Sequence, residues 1–471
     1  MKKTTLLTFH LLALLSMVSI KVYAYDIAVE NEDGVTIYYN YINGGEELEV
    51  TYAYHNLGET YKTYDYYSGN VVIPEKVSYM NKTRKVTSIC GFAFDGCKGL
   101  TSVTIPRSVT AIGECAFFGC SYLTKVIVKD IAAWCNIDFL DNPLIYSHHL
   151  YSDENTEITD LVIPNSVTSI GHYAFKGCAG LTSITIPESV TSIGYGAFSN
   201  CGGLTSVTIP ASVTAIADEV FEYCTGLTSV SIPASVTSIG RWAFQCCISL
   251  PSISIPESVT SIGVGAFLLC SGLTSITIPE GVTSISDDTF EGCSALTSIF
   301  IPESVTSIGM RALYMCYNLT SINIPSCVTS IDGFAFCGCR NLTSVIIPNS
   351  VTSIGMQAFE GCNQLNSIIS LIEEPFEING KSSKSRSFDV VVFNNATLYV
   401  PVGTIEKYKG TEGWKDFARI KENAPEGIAT PMLIQAEDSP TYDLQGRRLA
   451  EGKPLQPGIY VKDGRKFVVK E

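Results

Sequence analysis

Ile186-Pro187-Glu188-Ser189-Val190-Thr191-Ser192-Ile193-Gly194-Tyr195-Gly196-Ala197-Phe198-Ser199-Asn200-Cys201-Gly202-Gly203-Leu204-Thr205-Ser206-Val207-Thr208 is one unit of a 23-residue repeat, and that period decides the fold. Pro164, Pro187, Pro210, Pro233, Pro256, Pro279, Pro302, Pro325 and Pro348 recur at the same interval without a slip. Self-similarity at a fixed period of this size marks a stacked array. Within the unit, apolar residues fall at Ile186, Val190, Ile193, Ala197, Phe198, Cys201, Leu204 and Val207. Ile184-Thr185-Ile186 alternates with strand periodicity, and Pro187 stops pairing beyond it. Val190-Thr191-Ser192-Ile193 offers a second short extended stretch, closed by Gly194. Ala197, Phe198 and Cys201 stand at i, i+1 and i+4, so one helical turn points all three inward. A unit this short cannot bury its inward side chains alone; stacking turns them into a continuous core. Each coil then gains on the order of 10 kcal/mol gross from burial, most of it offset by chain ordering.

Working outward, earlier units begin at Ile105 and at Ile73, the latter with extra residues around 80–85, and residues 128–162 hold one degenerate coil plus an insertion. The array covers residues 71–370 as about twelve coils: a repeat solenoid of mainly short β-strands with short helical turns. At roughly 4.8 Å per coil it extends some 55–60 Å, a rod with broad walls and no cleft. The Leu-x-x-Ile-x-Ile pattern of Leu181, Ile184 and Ile186 resembles the strand motif of leucine-rich repeats. With its Ile-Pro, Val-Thr-Ser-Ile-Gly, Ala-Phe and Cys markers, the whole unit resembles the BspA-type leucine-rich repeat of bacterial surface proteins. Departures are few: Leu313 replaces the phenylalanine, Val220-Phe221 replaces Ala-Phe, and Ala217 and Ser286 replace the glycine.

Lys2 and Lys3 precede an apolar stretch over 6–20, and Val22-Tyr23-Ala24 places small residues for cleavage, so residues 1–24 read as a secretory signal peptide. An uncleaved anchor helix needs roughly 20 apolar residues, and His10 interrupts this shorter run. After signal removal no stretch is long enough to span a bilayer, and the protein is expected outside the cell, secreted or on the bacterial surface. Residues 25–70, polar and tyrosine-rich, read as an N-terminal β-rich cap, with strands on either side of Asn43-Gly44-Gly45. An open solenoid end exposes core and strand edges, which requires such a cap. Residues 371–423 close the other end, with a strand at Thr397-Leu398-Tyr399-Val400-Pro401 and short helices over 404–409 and 414–421. A linker over 424–438 leads to a small β segment over 439–471, which is similar to the C-terminal sorting tails of the type IX (Por) secretion system. A plain meander that merely ends the chain is the competing reading.

The chain holds 46 acidic and 31 basic residues, a net charge of −15, with no basic block, which excludes an electrostatic footprint for nucleic acid. Eleven of its 17 cysteines, Cys97, Cys120, Cys178 and the series from Cys201 to Cys362, occupy one repeat slot. That spacing reads as a buried column and not a disulfide framework, although neighbouring coils stand close enough for a few pairs to form. No metal or cofactor is expected: close cysteine pairs occur only at Cys337/Cys339 and Cys246/Cys247, without histidine. Residues 163–370 carry one Lys, three Arg, twelve Asp or Glu and only His172 among histidines, too little for acid–base chemistry. Asp287-Asp288, Asp218-Glu219 and His148-His149 read as solvated turn pairs. No Gly-x-Ser-x-Gly and no phosphate-binding loop occurs. The chain is therefore read as a non-enzyme.

What remains is surface. The outward strand slot reads Thr185, Thr208, Ser231, Ser254, Thr277, Phe300, Asn323 and Ile346, and Thr182-Ser183 recurs as Thr-Ser in most coils, a hydroxyl-studded, weakly charged sheet for which β-propensity and solubility are the plain explanation. The slots beside Ala-Phe vary most. Tyr195, Arg241, Trp242, Leu268, Leu269, Met310, Arg311, Tyr314, Met315 and Phe334 stand in these slots, and coils 240–334 concentrate large apolar and arginine side chains where earlier coils carry Lys, Ser and Glu. Exposed apolar patches mark contact sites, and Trp, Tyr and Arg dominate hot spots; packing between adjacent coils would use the same residues. The expectation is an extended surface for protein–protein contact. The family resemblance implies adhesion to host proteins or other cells, with a glycan- or peptide-capturing receptor and a structural surface-layer component as alternatives.

Overall fold

The computed structural model describes residues 21–23, 25–56 and 67–422, with further strands at Tyr442–Asp443, Gly458–Lys462 and Arg465–Val469. The leader over 1–24, apart from the strand Lys21–Tyr23, and the linker over 424–438 lie outside the described residues.

Each regular coil bonds to its neighbours through three ladders. In the first, Ser183–Thr185, Ser206–Thr208 and Ser229–Ser231 pair in parallel, Ser183 opposite Ser206 and Ser206 opposite Ser229. The sequence period is therefore the register: each residue faces its own equivalent. In the second, Ser169–Ile170 pairs with Ser192–Ile193 and Ser238–Ile239 with Ser261–Ile262. Threonines reinforce both. Thr205 Oγ1 donates to the Thr182 carbonyl at 3.1 Å and Thr191 Oγ1 to the Thr168 carbonyl at 3.2 Å, alongside the same residues' N–H groups.

The third ladder corrects the sequence reading. Ala-Phe does not lie on a helical turn. Tyr173 N–H donates to the Tyr195 carbonyl, Phe175 to Ala197 and Gly177 to Ser199, each at 2.8 Å, so alternate amides reach the next coil instead of the preceding turn of their own. Turning the chain this way places residues 173 and 177 in the left-handed region, at φ 54° and 84°. The two positions recur with the period, at 196 and 200, 219 and 223, 242 and 246 and onward to 357 and 361.

Inside the turn, each side chain stacks on its own copies. The rings of Phe175, Phe198, Phe221, Phe244, Phe267 and Phe290 follow one another at 5.4–5.9 Å, nearly parallel. Leu313 interrupts the rings but is equally buried. The cysteine column is buried and unpaired. Most of these thiols donate to the phenylalanine carbonyl of the preceding coil, as Cys201 to Phe175 and Cys224 to Phe198, both at 3.2 Å, and Cys339 donates to the Leu313 carbonyl instead. Burial pushes the thiols of Cys178, Cys224 and Cys270 up to about 12. One core cluster runs from Ile27 to Phe417.

The first ladder carries about fifteen rungs and not about twelve, because Gly69–Val72, Thr397–Val400 and Ile420–Glu422 join it beyond the clear repeats. Residues 414–421, expected as a helix, form a 3-10 turn, Trp414–Asp416, and then the strand Ile420–Glu422. Here a backbone edge left open by Thr397–Val400 takes a parallel partner. Phe388 extends the ring stack 5.0 Å beyond Phe359, and Phe393, Trp414 and Phe417 pack around it. At the other end, Ile27–Glu30, Thr36–Ile42 and Glu47–Thr51 form an antiparallel meander whose last strand lies parallel to Lys82–Ile89.

The degenerate coil does with side chains what the others do with backbone. The helix Ile131–Cys135, capped by Asp130, ends where a short strand would, and its Cys135 carbonyl accepts Gly171 N–H at 2.7 Å. Asn142 Nδ2 donates to the carbonyls of Tyr173 and Ala174, and Trp134 Nε1 also reaches Ala174. The Ala174 carbonyl is the acceptor that a regular preceding coil would have bonded through its own amide, as Phe175 N–H bonds Ala197, whereas the Tyr173 carbonyl also accepts Lys176 N–H within its own coil.

Candidate binding surface

The ten residues singled out from the sequence fall on one edge of the stack, in four turn slots that point away from the ring column. Arg241 and Met310 start their turns; their amides donate to Asp218 Oδ1 and Asp287 Oδ1 of the preceding coils, both at 2.7 Å. The acidic pairs 218–219 and 287–288 thus help to build the ladder. Trp242, Arg311 and Phe334 occupy the first left-handed position, at φ 53°, 53° and 61°, and Leu269 and Met315 the second, both at φ 59°. A left-handed L-residue costs roughly 1–2 kcal/mol, and bulky ones are rare there. Only Gly196 and Gly265 hold the first slot without that cost.

The side chains lean over the next coil. A Cβ added to Gly265 would lie 2.5 Å from the Trp242 ring, one at Gly292 2.6 Å from Leu269 Cδ2, and one at Gly196 2.4 Å from the Tyr173 ring. Bulky residue and following glycine therefore form knob-and-recess pairs. Packing between coils accounts for part of each side chain, and the rest faces solvent: Leu269 stays 44% exposed and Met315 36%.

Two groups form. Trp242, Leu268 and Leu269 follow one another across adjacent coils. Met310, Arg311, Tyr314, Met315 and Phe334 make the second, where Arg311 lies 5.9 Å from the Phe334 ring centre and 3.5 Å from Asp288, and the Tyr314 ring meets Phe334 edge-on at 6.4 Å. An acidic coil with Asp287, Asp288 and Glu291 lies between them. Burial and a hydrogen bond shared with Asp288 hold the Glu291 carboxyl above its usual range, against the pull of Arg311. Tyr195 stands apart from both. Its ring meets Tyr173 at 5.0 Å, its hydroxyl bonds Glu219, and burial followed by that bond raises its phenol.

The apolar edge is wider than the sequence reading placed it. Phe92, Phe118 and Tyr122 are exposed in the first coils, Tyr223 and Ile248 flank Trp242, and Met356 follows Phe334. Their signal was the repeat phase: Phe92 and Tyr223 occupy the left-handed slots one or more periods from Trp242 and Leu269. The hydroxyl wall is exposed at Thr185, Thr208, Ser231, Ser254 and Thr277. Among the described residues, no group of three or more His, Cys, Asp or Glu could hold a metal, and no helix is long and apolar enough to cross a membrane. His149 is committed to Glu157 at 2.6 Å.

The BspA type leucine rich repeat region matches in six copies, over residues 74–138, 147–274 and 262–377. The matched family is a repeat scaffold suited to protein–protein contact, not a catalytic one. No curated protein matches the chain. A leucine-rich repeat protein from Bacteroides ovatus shares 28% identity over 73% of this chain and 94% of its own, with a TM-score of 0.47. A leucine rich cell surface protein from Faecalibacterium prausnitzii shares 28% over 73% and 95%, with a TM-score of 0.43. The pneumococcal vaccine antigen PcpA shares 18% over 85% and 99%, with a TM-score of 0.43. With the family's repeat covering more than half of its length, the chain belongs to the BspA type leucine-rich repeat proteins.

Proposed function

We propose that this protein is an exported, non-enzymatic scaffold that docks extracellular proteins or the surfaces of partner cells along its turn edge. The observation that carries the reading is the set of bulky, solvent-facing residues at left-handed positions, Trp242, Leu269, Arg311, Met315 and Phe334. Backbone strain at such positions persists where something other than stability selects the residue, and half-exposed Trp, Arg and Met side chains are suited to a complementary protein surface. In this reading residues 1–24 direct export, 25–70 and 371–423 close the ends of the 71–370 array, and 424–438 link it to a type IX-like sorting segment at 439–471. Adhesion to matrix proteins or other cells follows from the same edge.

The test is binding of the full-length protein to immobilised extracellular-matrix proteins, to partner cells and to a glycan array, with Trp242→Ala/Tyr314→Ala alongside. A fall of at least ten-fold in affinity for a protein partner is expected of the double variant. Unchanged affinity for every partner would sink the assignment, and binding to glycans alone would transfer function to the hydroxyl wall and the receptor reading.

A further inference from the structure

The three ladders differ in continuity. In the second, the amides of Thr214 and Ala217, and again of Thr283 and Ser286, have no acceptor among the described residues, whereas the same two bonds hold at 2.8–2.9 Å from Thr191, Gly194, Thr260 and Gly263. In the first, Ser229–Ser231 and Ser298–Phe300 each pair with the coil before and with no described strand of the coil after. The third has no gap. At each of these four junctions its three bonds run at 2.7–3.0 Å, from Gly196, Phe198 and Asn200 onward to Asp288, Phe290 and Gly292.

Side chains account for three of the four gaps. Pro251 stands where other coils have threonine, so the Thr228 carbonyl receives neither the amide nor the hydroxyl bond that Thr228 itself gives Thr205, at 2.9 and 3.0 Å. Ala217 and Ser286 stand in the glycine slot, where a Cβ built on Gly194, Gly240, Gly263 or Gly355 would lie 2.4–2.7 Å from the preceding coil's backbone. Ser286 reaches the Ile262 carbonyl through Oγ at 2.7 Å in place of its amide. Asp332 shares the slot, and the Thr329 and Asp332 amides keep their bonds at 2.8 and 2.9 Å. It is followed by Gly333, where Asp218 and Asp287 follow the other two.

Coils 209–231 and 278–300 each lack the second ladder toward the coil before and the first toward the coil after. Each is therefore held to both neighbours along the turn edge and by one wall only. Fewer bonds per junction lower the cost of local opening. We propose that these two coils are joints, and that blocks 163–208, 232–277 and 301–370 bend against one another about the turn edge. The group around Trp242 rides on the middle block and the group around Arg311 on the last. Bending changes the angle between the two groups while the bonds of the turn edge hold their spacing, whatever docks on them.

Pulsed dipolar spectroscopy on the full-length protein tests this, with nitroxides on ketone side chains in place of the exposed Glu188 and Glu280, so that the native cysteines stay unmodified. Four coils separate the two sites, roughly 19 Å. The parent distance distribution is expected to be at least twice as wide as that of Ala217→Gly/Pro251→Thr/Ser286→Gly, which closes all three gaps between them. Equal widths would overturn the proposal. Should that variant not fold, hydrogen exchange of the parent decides. Thr237 and Thr306 are bonded at 2.8 and 2.9 Å but tie the joints to the next blocks, and their amides should exchange at least ten-fold faster than those of Thr191, Thr260 and Thr329 within blocks. Equal exchange across these five bonded amides would overturn the proposal as well.

Discussion

The two sides of one turn obey opposite rules. On the inner side, Phe198, Phe221, Phe244 and Phe267 are the same residue because each ring stacks on its own copy. On the outer side, the first left-handed slot holds Gly196, Glu219, Trp242, Gly265, Asp288, Arg311 and Phe334, seven coils with six residue types. The backbone is the same throughout, because the third ladder enforces it from neighbouring coils. Backbone geometry that is imposed cooperatively does not select its residue, and the variable side is left for contact.

The inner side can be broken chemically. Cys135, Cys178, Cys224 and Cys270 have thiols raised to about 12 by burial, against an ordinary value of 9.0. Their folded-state protons are held more tightly than in the unfolded chain, so their stability contribution is intact below about pH 8.5 and is lost as pH rises toward 12. At about 1.4 kcal/mol per thiol per unit, the four together lose on the order of 5–8 kcal/mol by pH 10. Urea midpoints at pH 7 and pH 10 check this, and equal midpoints would contradict it.

Removing one ring comes next. Phe221→Ala leaves a gap between Phe198 and Phe244, expected to cost about 3–5 kcal/mol. Because each coil contacts only its neighbours, hydrogen exchange should rise most in the flanking coils. A third variant addresses the place where side chains stand in for backbone. Asn142→Ala removes one of two bonds to the Tyr173 carbonyl, leaving that from Lys176 N–H, and one of two to that of Ala174, leaving that from Trp134, with an expected loss of about 1–3 kcal/mol, read as faster exchange around residues 171–178.

The period made the inner side legible in the sequence. Ile, Val, Ala-Phe, Cys and Leu at fixed phase named the buried columns, and the proline spacing gave the register before any pairing was seen. The first left-handed slot was not legible, because residues such as Tyr173, Trp242 and Arg311 there give no glycine or asparagine signal, whereas the second carries one at Gly177, Asn200, Gly292, Gly338 and Gly361; at the first slot the conformation comes from bonds to the next coil. The strand Ile420–Glu422 was hidden for a similar reason: three residues carry no alternation, and only the open edge of Thr397–Val400 makes them a strand. Ile346 stood out in the outward slot, but its burial could not be read from a position that leaves Thr185 exposed.

The smallest effect on folding is the most informative about function. Leu269→Gly/Met315→Gly removes two knobs at φ 59°, where relief of the left-handed conformation and loss of packing on Gly292 and Gly338 nearly cancel, so stability should change by no more than about 1 kcal/mol. Measuring that variant's denaturation midpoint beside its affinity for a captured protein partner is the direct test. An unaltered midpoint with affinity down at least ten-fold is the predicted result. A large loss of stability, or a partner bound as tightly as before, would mean that these residues serve the stack and not its contacts.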